Sequence, residues 1–274
     1  MTSGTGPPVV RLLHVTDPHL MRDESLEIYD VNTARSLRLV LDQALAPGGV
    51  RPDAVLVTGD IADDRTAEAY AHFRAQLRRY GLPVLCLPGN HDRPELMARL
   101  LEGDGFRYCS RSDLASWSIV ALDSHVPGDP AGRLSPAELA RLEAELRGTR
   151  GRHVAVCLHH PPLPVGSRWL DGVGLLNAPD LLAVIDAHPH VRLVIAGHVH
   201  QAFDATRGPV RYLTTPSTCA QFTPRTEQCL MDLRPPGYRW IELRGDGTVD
   251  TQVAWLEDWV VSRRPTDNRD QFMS

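Results

Sequence analysis

Short apolar runs alternate with segments of helical periodicity along most of the chain. The apolar runs are rich in Val, Leu and Ile and predict buried strands over 9–16, 54–58, 83–87, 118–122, 153–158 and 192–196. Between them, apolar residues at helical spacing predict helices over 34–45, 66–80, 94–101 and 179–187, and one more after Ser135. Strands that alternate with helices in this way are typical of an α/β protein with parallel strands.

The helix after Ser135 has a well-marked beginning. Ser135 is suited to the N-cap, Pro136 to the first helical position and Glu138 to the third. In a capping box the acidic side chain bonds back to the backbone of the cap. The sequence therefore predicts a complete capping box here.

Beyond Phe203 the pattern changes to short alternating segments between Gly and Pro turns. These segments, 210–213, 229–233, 238–243 and 248–255, are typical of antiparallel strands. The strands from about residue 210 are expected to complete a second sheet. Because no linker interrupts the pattern, we predict a single domain over 9–256 and a polar tail over 257–274.

The composition narrows the class of protein. With 42% hydrophobic residues in 274 positions, the chain can bury a sizeable core, which excludes a disordered or fibrous protein. The net charge of −5 gives no long-range attraction for nucleic acid. The five cysteines form no Cys-x-x-Cys pair, and no signal peptide or membrane-length apolar stretch is evident. A cytoplasmic protein without nucleic-acid or membrane partners is expected, and a homodimer is one alternative for its oligomeric state.

Polar residues follow five of the predicted strands at the point where each strand ends. They are Asp17-x-His19, Gly59-Asp60, Gly89-Asn90-His91, His159-His160 and Gly197-His198-x-His200. Because ligands bind beyond the carboxyl ends of the strands in open α/β sheets, these clusters are expected to converge on one site. Residues two apart on an extended segment point the same way, so Asp17 and His19 can serve one locus together.

The donor types predict a site for two metal ions. Imidazole and carboxylate groups together suit Fe, Mn or Zn, and the absence of nearby thiolates argues against a closed structural zinc site. Asp60 is suited to bridge two cations, and Asn90 offers a neutral amide oxygen, which leaves positions for water and substrate. Fe²⁺ or Mn²⁺ are the expected ions, with Zn²⁺ as an alternative.

The five clusters, in this order over about residues 10–202, resemble the calcineurin-like metallophosphoesterase superfamily. The resemblance implies a four-layer αββα sandwich in which two mixed β-sheets are flanked by helices. Residues 166–171, Asn177, 215–222 and 236–239 are similar to segments of the class III cyclic nucleotide phosphodiesterases, which include bacterial 3′,5′-cyclic AMP enzymes. With these segments the resemblance extends to about residue 256.

The resemblance implies a role for each matched position. One metal would be held by Asp17, His19, Asp60 and His200, and the other by Asp60, Asn90, His159 and His198. Substrate would contact Asn90, His91 and His200, and His91 would be the catalytic group that orients the phosphate or protonates the leaving oxygen. Alignment on the following Pro-Leu-Pro selects His159 as a ligand, with His160 as its rival.

The implied activity is hydrolysis of 3′,5′-cyclic AMP to 5′-AMP. Two cations would lower the pKa of a bridging water, and the resulting hydroxide would attack phosphorus in line with the ribose 3′-oxygen. A glycerophosphodiesterase or a broad-specificity phosphodiesterase would use the same site, because the pocket decides the substrate. A third alternative is a protein-binding scaffold on the same fold, although relatives of that kind lose ligands and none is missing here.

Three further features near the clusters each have two interpretations. Asp92 is suited to cap a turn or to support a ligand. Trp169 is suited to stack on a nucleobase or to close the core. Residues 215–222 belong either to a loop near the site or to an ordinary turn.

Overall fold

The computed structural model describes residues 9–259 of the chain. Of the predicted tail, only residues 257–259 fall in this range. The helices are α1 (Thr33–Ala44), α2 (Ala67–Arg78), α3 (Pro94–Leu100), α4 (Pro136–Gly148), α5 (Arg168–Asp171) and α6 (Ala178–Asp186). Within residues 9–259, none of the helices combines the length and the apolar character that crossing a bilayer requires.

The strands are numbered in chain order. They are β1 (Val9–Val15), β2 (Glu27–Ile28), β3 (Val31–Asn32), β4 (Ala54–Val57), β5 (Val84–Cys86), β6 (Phe106–Tyr108), β7 (Arg111–Leu114), β8 (Trp117–Ala121), β9 (His153–Cys157), β10 (Val191–Ala196), β11 (Phe203–Arg207), β12 (Val210–Thr214), β13 (Gln221–Phe222), β14 (Met231–Asp232), β15 (Gly237–Arg244) and β16 (Val249–Trp255). The helices and strands predicted before residue 200 all occur, with ends within two residues of the predicted ones.

Two six-stranded mixed sheets organise the chain. The first has the order β16-β15-β1-β4-β5-β6, and the second has the order β11-β12-β10-β9-β8-β7. Strands β1, β4, β5 and β6 are parallel to one another, as are β8, β9, β10 and β12. The carboxyl ends of the parallel strands in each sheet therefore meet at one edge.

Three apolar layers hold the sheets and helices together. Leu56 of the first sheet and Ile195 of the second belong to the core between the sheets. Phe73 of α2 packs on the outer face of the first sheet, and Leu142 of α4 and Ile185 of α6 pack on the outer face of the second. The order is helix, sheet, sheet, helix, so the four-layer αββα arrangement is confirmed.

The strands after residue 210 do not all join the second sheet, and that expectation is wrong in part. Strand β12 pairs with β10 in the second sheet, but β15 and β16 form a hairpin that pairs with β1 in the first. Strand β1 gains a partner on its second edge, which would otherwise expose a row of backbone donors and acceptors. Polar and apolar alternation predicts that a segment is a strand but does not select its partner.

Several short strands carry no clear signal in the sequence. The edge strands β7 and β11 have only exposed or half-buried side chains, because residues such as Arg111, Asp113 and Asp204 interrupt any apolar run. The strand predicted over 229–233 is shorter than expected, since only β14 pairs, with β13. Edge strands need to bury little surface, and so hydrophobic patterning detects them poorly.

Helix α4 begins where predicted, but its capping box is only half formed. The hydroxyl of Ser135 accepts the backbone N–H of Glu138 at 3.1 Å. The carboxylate of Glu138 instead accepts the backbone N–H of Asp123 at 2.8 Å and the guanidinium of Arg141 at 2.6 Å. The loop after β8 therefore competes successfully for the side chain that would complete the box.

Candidate metal centre

All five polar clusters of the sequence lie at the carboxyl ends of parallel strands. Asp17 and His19 follow β1, Asp60 follows β4 and Asn90 follows β5, whereas the second sheet contributes the histidines after β9 and β10. Both sheets present these ends to one cavity of about 510 Å³. Its lining includes six of the predicted site residues: His19, Asp60, Asn90, His91, His198 and His200.

The backbone at these strand ends turns sharply. Asp17, His19, Asp60, His198 and His200 all have positive φ angles, between 47° and 70°. Residues with a side chain rarely adopt this conformation, and it persists where the surrounding structure enforces it, often at functional sites. The five turns aim side chains of consecutive loops at the same point.

Glycine is required where two of these loops touch. A Cβ atom at Gly89 would overlap the carboxylate of Asp60, and one at Gly197 would overlap the hydroxyl of Thr16. The loops after β4 and β5 can therefore approach each other only because Gly89 has no side chain.

A first group of donors consists of Asp17, His19, Asp60 and His200. The Nε2 atoms of His19 and His200 are 3.3 Å apart, and Nε2 of His200 lies 3.4 Å from Oδ1 of Asp17. Oδ2 of Asp60 lies 3.8 Å from Nε2 of His19. These four side chains, predicted to share one ion, thus converge at the distances expected around a common centre.

A second group consists of Asp60, Asn90, His159 and His198. Nε2 of His159 lies 3.3 Å from Oδ2 of Asp60 and 3.1 Å from Oδ1 of Asn90. The same Asn90 oxygen lies 3.0 Å from Nδ1 of His198. Oδ2 of Asp60 thus faces both groups, as a bridging carboxylate would.

The geometry favours His159 over His160 as the donor. Nδ1 of His160 faces the hydroxyl of Ser124 at 2.8 Å, and Nε2 faces the carbonyl of Pro130 at 3.2 Å. Both ring nitrogens of His160 are therefore occupied by protein groups. His159 leaves its Nε2 directed at the oxygens of the second group.

The orientation of the imidazoles fits divalent cations. Nδ1 of His19 bonds to the Asp63 carboxylate, that of His159 to the Thr58 carbonyl and that of His200 to the Ala220 carbonyl. Because these partners only accept, each Nδ1 carries a proton, and in the neutral ring Nε2 is left as a lone pair facing other acceptors. Metal-binding histidines typically donate their other N–H in this way.

The two buried carboxylates of the site require a compensating positive charge. Asp17 and Asp60 are 0% and 2% exposed, and they are neighbours. Burial alone would raise the pKa of Asp60, but the imidazoles of His159 and His91 hold it well below the ordinary value. Conversely, although burial opposes it, the Asp63 and Asp60 carboxylates raise the pKa of His19 to about 9. A cation at this point would supply the charge that the carboxylates require.

A nitrogen atom of His198 also favours a metal ion at this site. Nε2 of His198 is buried and has no hydrogen-bond partner among the described residues. Burial, followed by the charge of His159, lowers the pKa of His198 to about 3, so this ring is neutral. A neutral imidazole that has one buried nitrogen without a partner, beside Asp17 and Asp60, is suited to bind a metal ion.

Asp63 also belongs to the site, although the five sequence clusters do not include it. Its Oδ1 lies 2.9 Å from Nδ1 of His19 and 3.1 Å from Nδ1 of His91. Asp63 therefore orients both the donor His19 and His91, whose side chain is 41% exposed at the rim of the cavity. The spacing Asp60-x-x-Asp63, which places both residues on one loop, was the available signal.

Asp92 supports the loops that carry the ligands, which is one of the two roles that the sequence suggests for it. Its buried carboxylate accepts the backbone N–H groups of Ile61, Ala62 and Gly89 and the hydroxyl of Tyr70, at 2.9 to 3.1 Å. These bonds join the loop after β4 to the loop after β5. Asp92 thus fixes the position of Asp60 relative to Asn90.

Residues 215–222 form a loop against the site, not an ordinary surface turn. The hydroxyl of Ser217 donates to the carbonyl of Asp17 at 2.7 Å, and the carbonyl of Ala220 faces His200. Asn177, in contrast, lies away from the donors, where its side chain bonds to the backbone of Leu134.

A buried chain of hydrogen bonds leads to Asp17 from Arg239, which lies opposite His14 in the pairing of β15 with β1. In order of donation it runs from Arg239 through Thr215, His14, Thr58 and Thr16 to Asp17, with distances of 3.2, 2.7, 2.9, 2.7 and 2.6 Å. Burial, with the charge of Arg239, lowers the pKa of His14 to about 3. The neutral ring has one N–H and one lone pair, which match its two neighbours.

The chain belongs to the calcineurin-like phosphoesterase family, whose profile matches residues 10–202. It is 39% identical over 254 residues to the 3′,5′-cyclic adenosine monophosphate phosphodiesterase CpdA of Escherichia coli strain K12, with 92% of each chain covered. The protein of the same name from Pseudomonas aeruginosa is 36% identical over 251 residues, again with 92% of each chain covered.

Solved structures confirm the fold. A dimetal phosphatase from Danio rerio superposes with a TM-score of 0.64 at 20% identity, and the match covers 91% of this chain and 99% of that one. At this level of identity the likeness concerns the architecture alone. The αββα sandwich and the family assignment predicted from the sequence clusters are both confirmed.

Proposed function

We propose that this protein is a phosphodiesterase that hydrolyses 3′,5′-cyclic AMP to 5′-AMP with two divalent metal ions. The observation that carries the proposal is the convergence of the seven predicted donors, five of which line one cavity, with Nε2 atoms of three histidines and two buried carboxylates directed at one another. The 39% identity to the E. coli cyclic AMP phosphodiesterase over 92% of the chain supports the choice of substrate.

Asp17, His19, Asp60 and His200 would hold one ion, and Asp60, Asn90, His159 and His198 the other. Such ions supply charge stabilisation at phosphorus and a nucleophilic water at neutral pH. The donors are nitrogen and oxygen atoms without thiolates, which suits Fe²⁺ or Mn²⁺ and, as an alternative, Zn²⁺.

The protein's own groups would place the phosphate and handle the leaving group. Nδ1 of His91 is engaged by Asp63, so its Nε2 is the atom free to meet the substrate at the rim. From there an N–H of His91 can bond a phosphoryl oxygen or pass a proton to the departing ribose 3′-oxygen. With its Oδ1 directed at the donors, Asn90 can turn its amide N–H groups toward the phosphate.

We also propose a cellular location and an assembly for the enzyme. None of the five cysteines, all of which lie within residues 9–259, forms a disulfide, and this supports a reducing cytoplasm as the location. A homodimer stays an alternative for the assembly, with a small-molecule substrate as the partner of the site.

The test is a steady-state assay of the purified protein with 3′,5′-cyclic AMP, after chelation and after adding back Fe²⁺ or Mn²⁺. We expect turnover to 5′-AMP to return with the metal. Asp60→Asn weakens the carboxylate that faces both groups of donors. We expect this variant to bind fewer metal ions per chain and to lose at least about a hundredfold in kcat. Asp42→Asn, at an exposed carboxylate on α1, serves as the matched control.

Two outcomes would contradict the proposal in different ways. Metal-dependent cleavage of bis(p-nitrophenyl) phosphate without turnover of cyclic AMP would indicate a broad-specificity or glycerophosphodiester enzyme on the same centre. Absence of activity on both substrates, with two ions bound per chain, would indicate a protein-binding scaffold.

A further inference from the structure

One end of the donor cavity is built from aromatic rings. Phe222 is the centre, and the rings of Tyr29 and Trp169 stand nearly perpendicular to it, at 76° and 81°. Their centroids are 6.1 Å and 5.0 Å from that of Phe222. Phe222 is 6% exposed, while Tyr29 and Trp169 are half-buried and line the cavity. These three residues form what we term the aromatic slot, a floor with two walls.

The aromatic slot is continuous with the donors. Phe222 stacks on His200, with centroids 4.5 Å apart and planes inclined by 18°. His200 is 5.2 Å from His19, and His19 is 4.9 Å from His91. Two imidazole rings therefore separate the floor of the slot from His91. A ligand with its phosphate at His91 would extend its other end along this line toward the slot.

Tyr29 is held at the slot against a local preference of the backbone. It occupies the two-residue turn between β2 and β3 with Asp30, and both residues have positive φ, 52° and 60°. Such turns favour Asn and Gly, because a bulky side chain is disfavoured there. A tyrosine in this conformation is maintained by its surroundings, and here the ring contacts Phe222 at the cavity wall.

Apolar side chains lie beside the aromatic slot. Leu170 and Val173 follow Trp169 along the chain and also line the cavity. A planar, uncharged group that stacks on aromatic faces is the chemistry suited to such a surface.

We propose that the aromatic slot binds the nucleobase of the cyclic nucleotide, and that Tyr29 and Trp169 thereby determine the preference for nucleotides over other phosphodiesters. The proposal rests on the phosphodiesterase function proposed above. It assigns phosphate to the donor end of the cavity and the base to the aromatic end.

The test compares cyclic AMP with ribose 3′,5′-cyclic phosphate, which has the same cyclic diester but no base. We expect Trp169→Leu and Tyr29→Leu each to lower kcat/KM for cyclic AMP by about 5- to 100-fold, the usual range for losing a base–aromatic stack. The kcat/KM for the abasic substrate should change by less than about twofold. Tyr80→Leu, which removes a tyrosine that bonds to Asp42, is the control.

A second readout does not require turnover. Titration of the metal-loaded protein with 5′-AMP, the expected product, which carries the same base, should change tryptophan fluorescence, and this change should disappear in Trp169→Leu. Equal losses on both substrates, or a wild type that does not discriminate between them, would overturn the slot while leaving the phosphodiesterase function intact. Absence of activity on either substrate in the wild type would instead refute the function itself.

Discussion

The two oxygens of the Asp17 carboxylate have different surroundings. Oδ2 accepts the hydroxyl of Thr16 at 2.6 Å, whereas Oδ1 faces His200 at 3.4 Å. The backbone N–H of His198 approaches both oxygens, at 3.1 and 3.2 Å. The hydrogen-bond chain from Arg239 thus ends on the oxygen that is turned away from His200. Its donors all point the same way, so each bond polarises the next.

We expect Thr215→Val to weaken metal binding without unfolding the protein. The substitution keeps the shape of the side chain but removes the hydroxyl that links Arg239 to His14. Loss of the direct partner of a metal ligand typically lowers metal affinity about 10- to 100-fold, and because Thr215 acts on Asp17 through His14, Thr58 and Thr16, we expect a loss of at most about tenfold. The measurement is competition of the apo-protein with a metal-binding dye, together with circular dichroism to verify folding.

The matched control for this variant is Thr206→Val, at an exposed position of β11. An affinity for metal equal to that of the wild type in Thr215→Val would show that the chain does not position Asp17.

At the level of single residues, the sequence predicts the candidate metal ligands but not the residues that hold those ligands in position. Asp17, His19, His198 and His200 are visible because pairs two residues apart repeat at strand ends. His14 is hidden, because its partners Thr58 and Thr215 are 44 and 201 residues away and nothing in its local context marks it. Hydrogen bonds between distant strands depend on the tertiary fold, which spacing along the chain does not encode.

Among the elements, the loop after β8 and the start of α4 form a small acidic unit. Asp123 accepts the backbone N–H of His125, while Glu138 accepts that of Asp123. Burial, followed by the nearby charge of Glu138, raises the pKa of Asp123 to about 6. The folded state therefore binds this proton more tightly than the unfolded chain does.

The sign of the resulting pH effect is fixed. An acid whose pKa is raised on folding favours the folded state below its unfolded pKa of about 4, and this contribution is lost as the pH rises through about 6. We expect Asp123→Asn to raise the free energy of unfolding at about pH 7.5, by at most about 3 kcal/mol. The amide oxygen of Asn can still accept the N–H of His125.

Urea unfolding of wild type and variant at several pH values measures this effect. The gain should shrink progressively between about pH 6 and pH 4, and Asp42→Asn serves as the control for the substitution of an exposed carboxylate. A gain of constant size across this interval would show that the Asp123 proton is not its source.

The elements that the sequence predicts correctly are those that bury a face. Helices α1 and α2 and strands β1 and β10 have apolar residues at the right period and are found where expected. The sequence does not predict that Glu138 accepts the N–H of Asp123 or that β15 pairs with β1. Each contact is decided by competition between segments that are separate in the sequence.

Across the whole molecule, the donor groups come from both sheets. Asp17, His19, Asp60 and Asn90 belong to loops of the first sheet, and the three histidine donors belong to the second. A ligand that binds both sets stabilises the folded state by mass action, by about 2.7 kcal/mol at a free concentration one hundred times its Kd. It also relieves the mutual repulsion of Asp17 and Asp60.

Chelation of the metal-loaded protein should therefore lower its Tm by several degrees. Differential scanning calorimetry with and without EDTA measures the shift, and re-addition of Mn²⁺ should reverse it. In Asp60→Asn, where the bridge is weakened, we expect the same treatment to have little effect. A wild-type Tm that does not respond to EDTA would argue against metal ions joining the sheets.

The pairing of β1 with β15 has a consequence for the order of folding. Residues 9–14 lie opposite 239–244, so the strand that delivers Asp17 and His19 gains its second neighbour only after some 230 further residues have been synthesised, as the register of Val9 with Arg244 shows. Contacts of such long range form slowly, because a large loop must first close. A growing chain on the ribosome would therefore hold an incomplete first sheet, and the site would be assembled late, when the nascent protein is almost fully made.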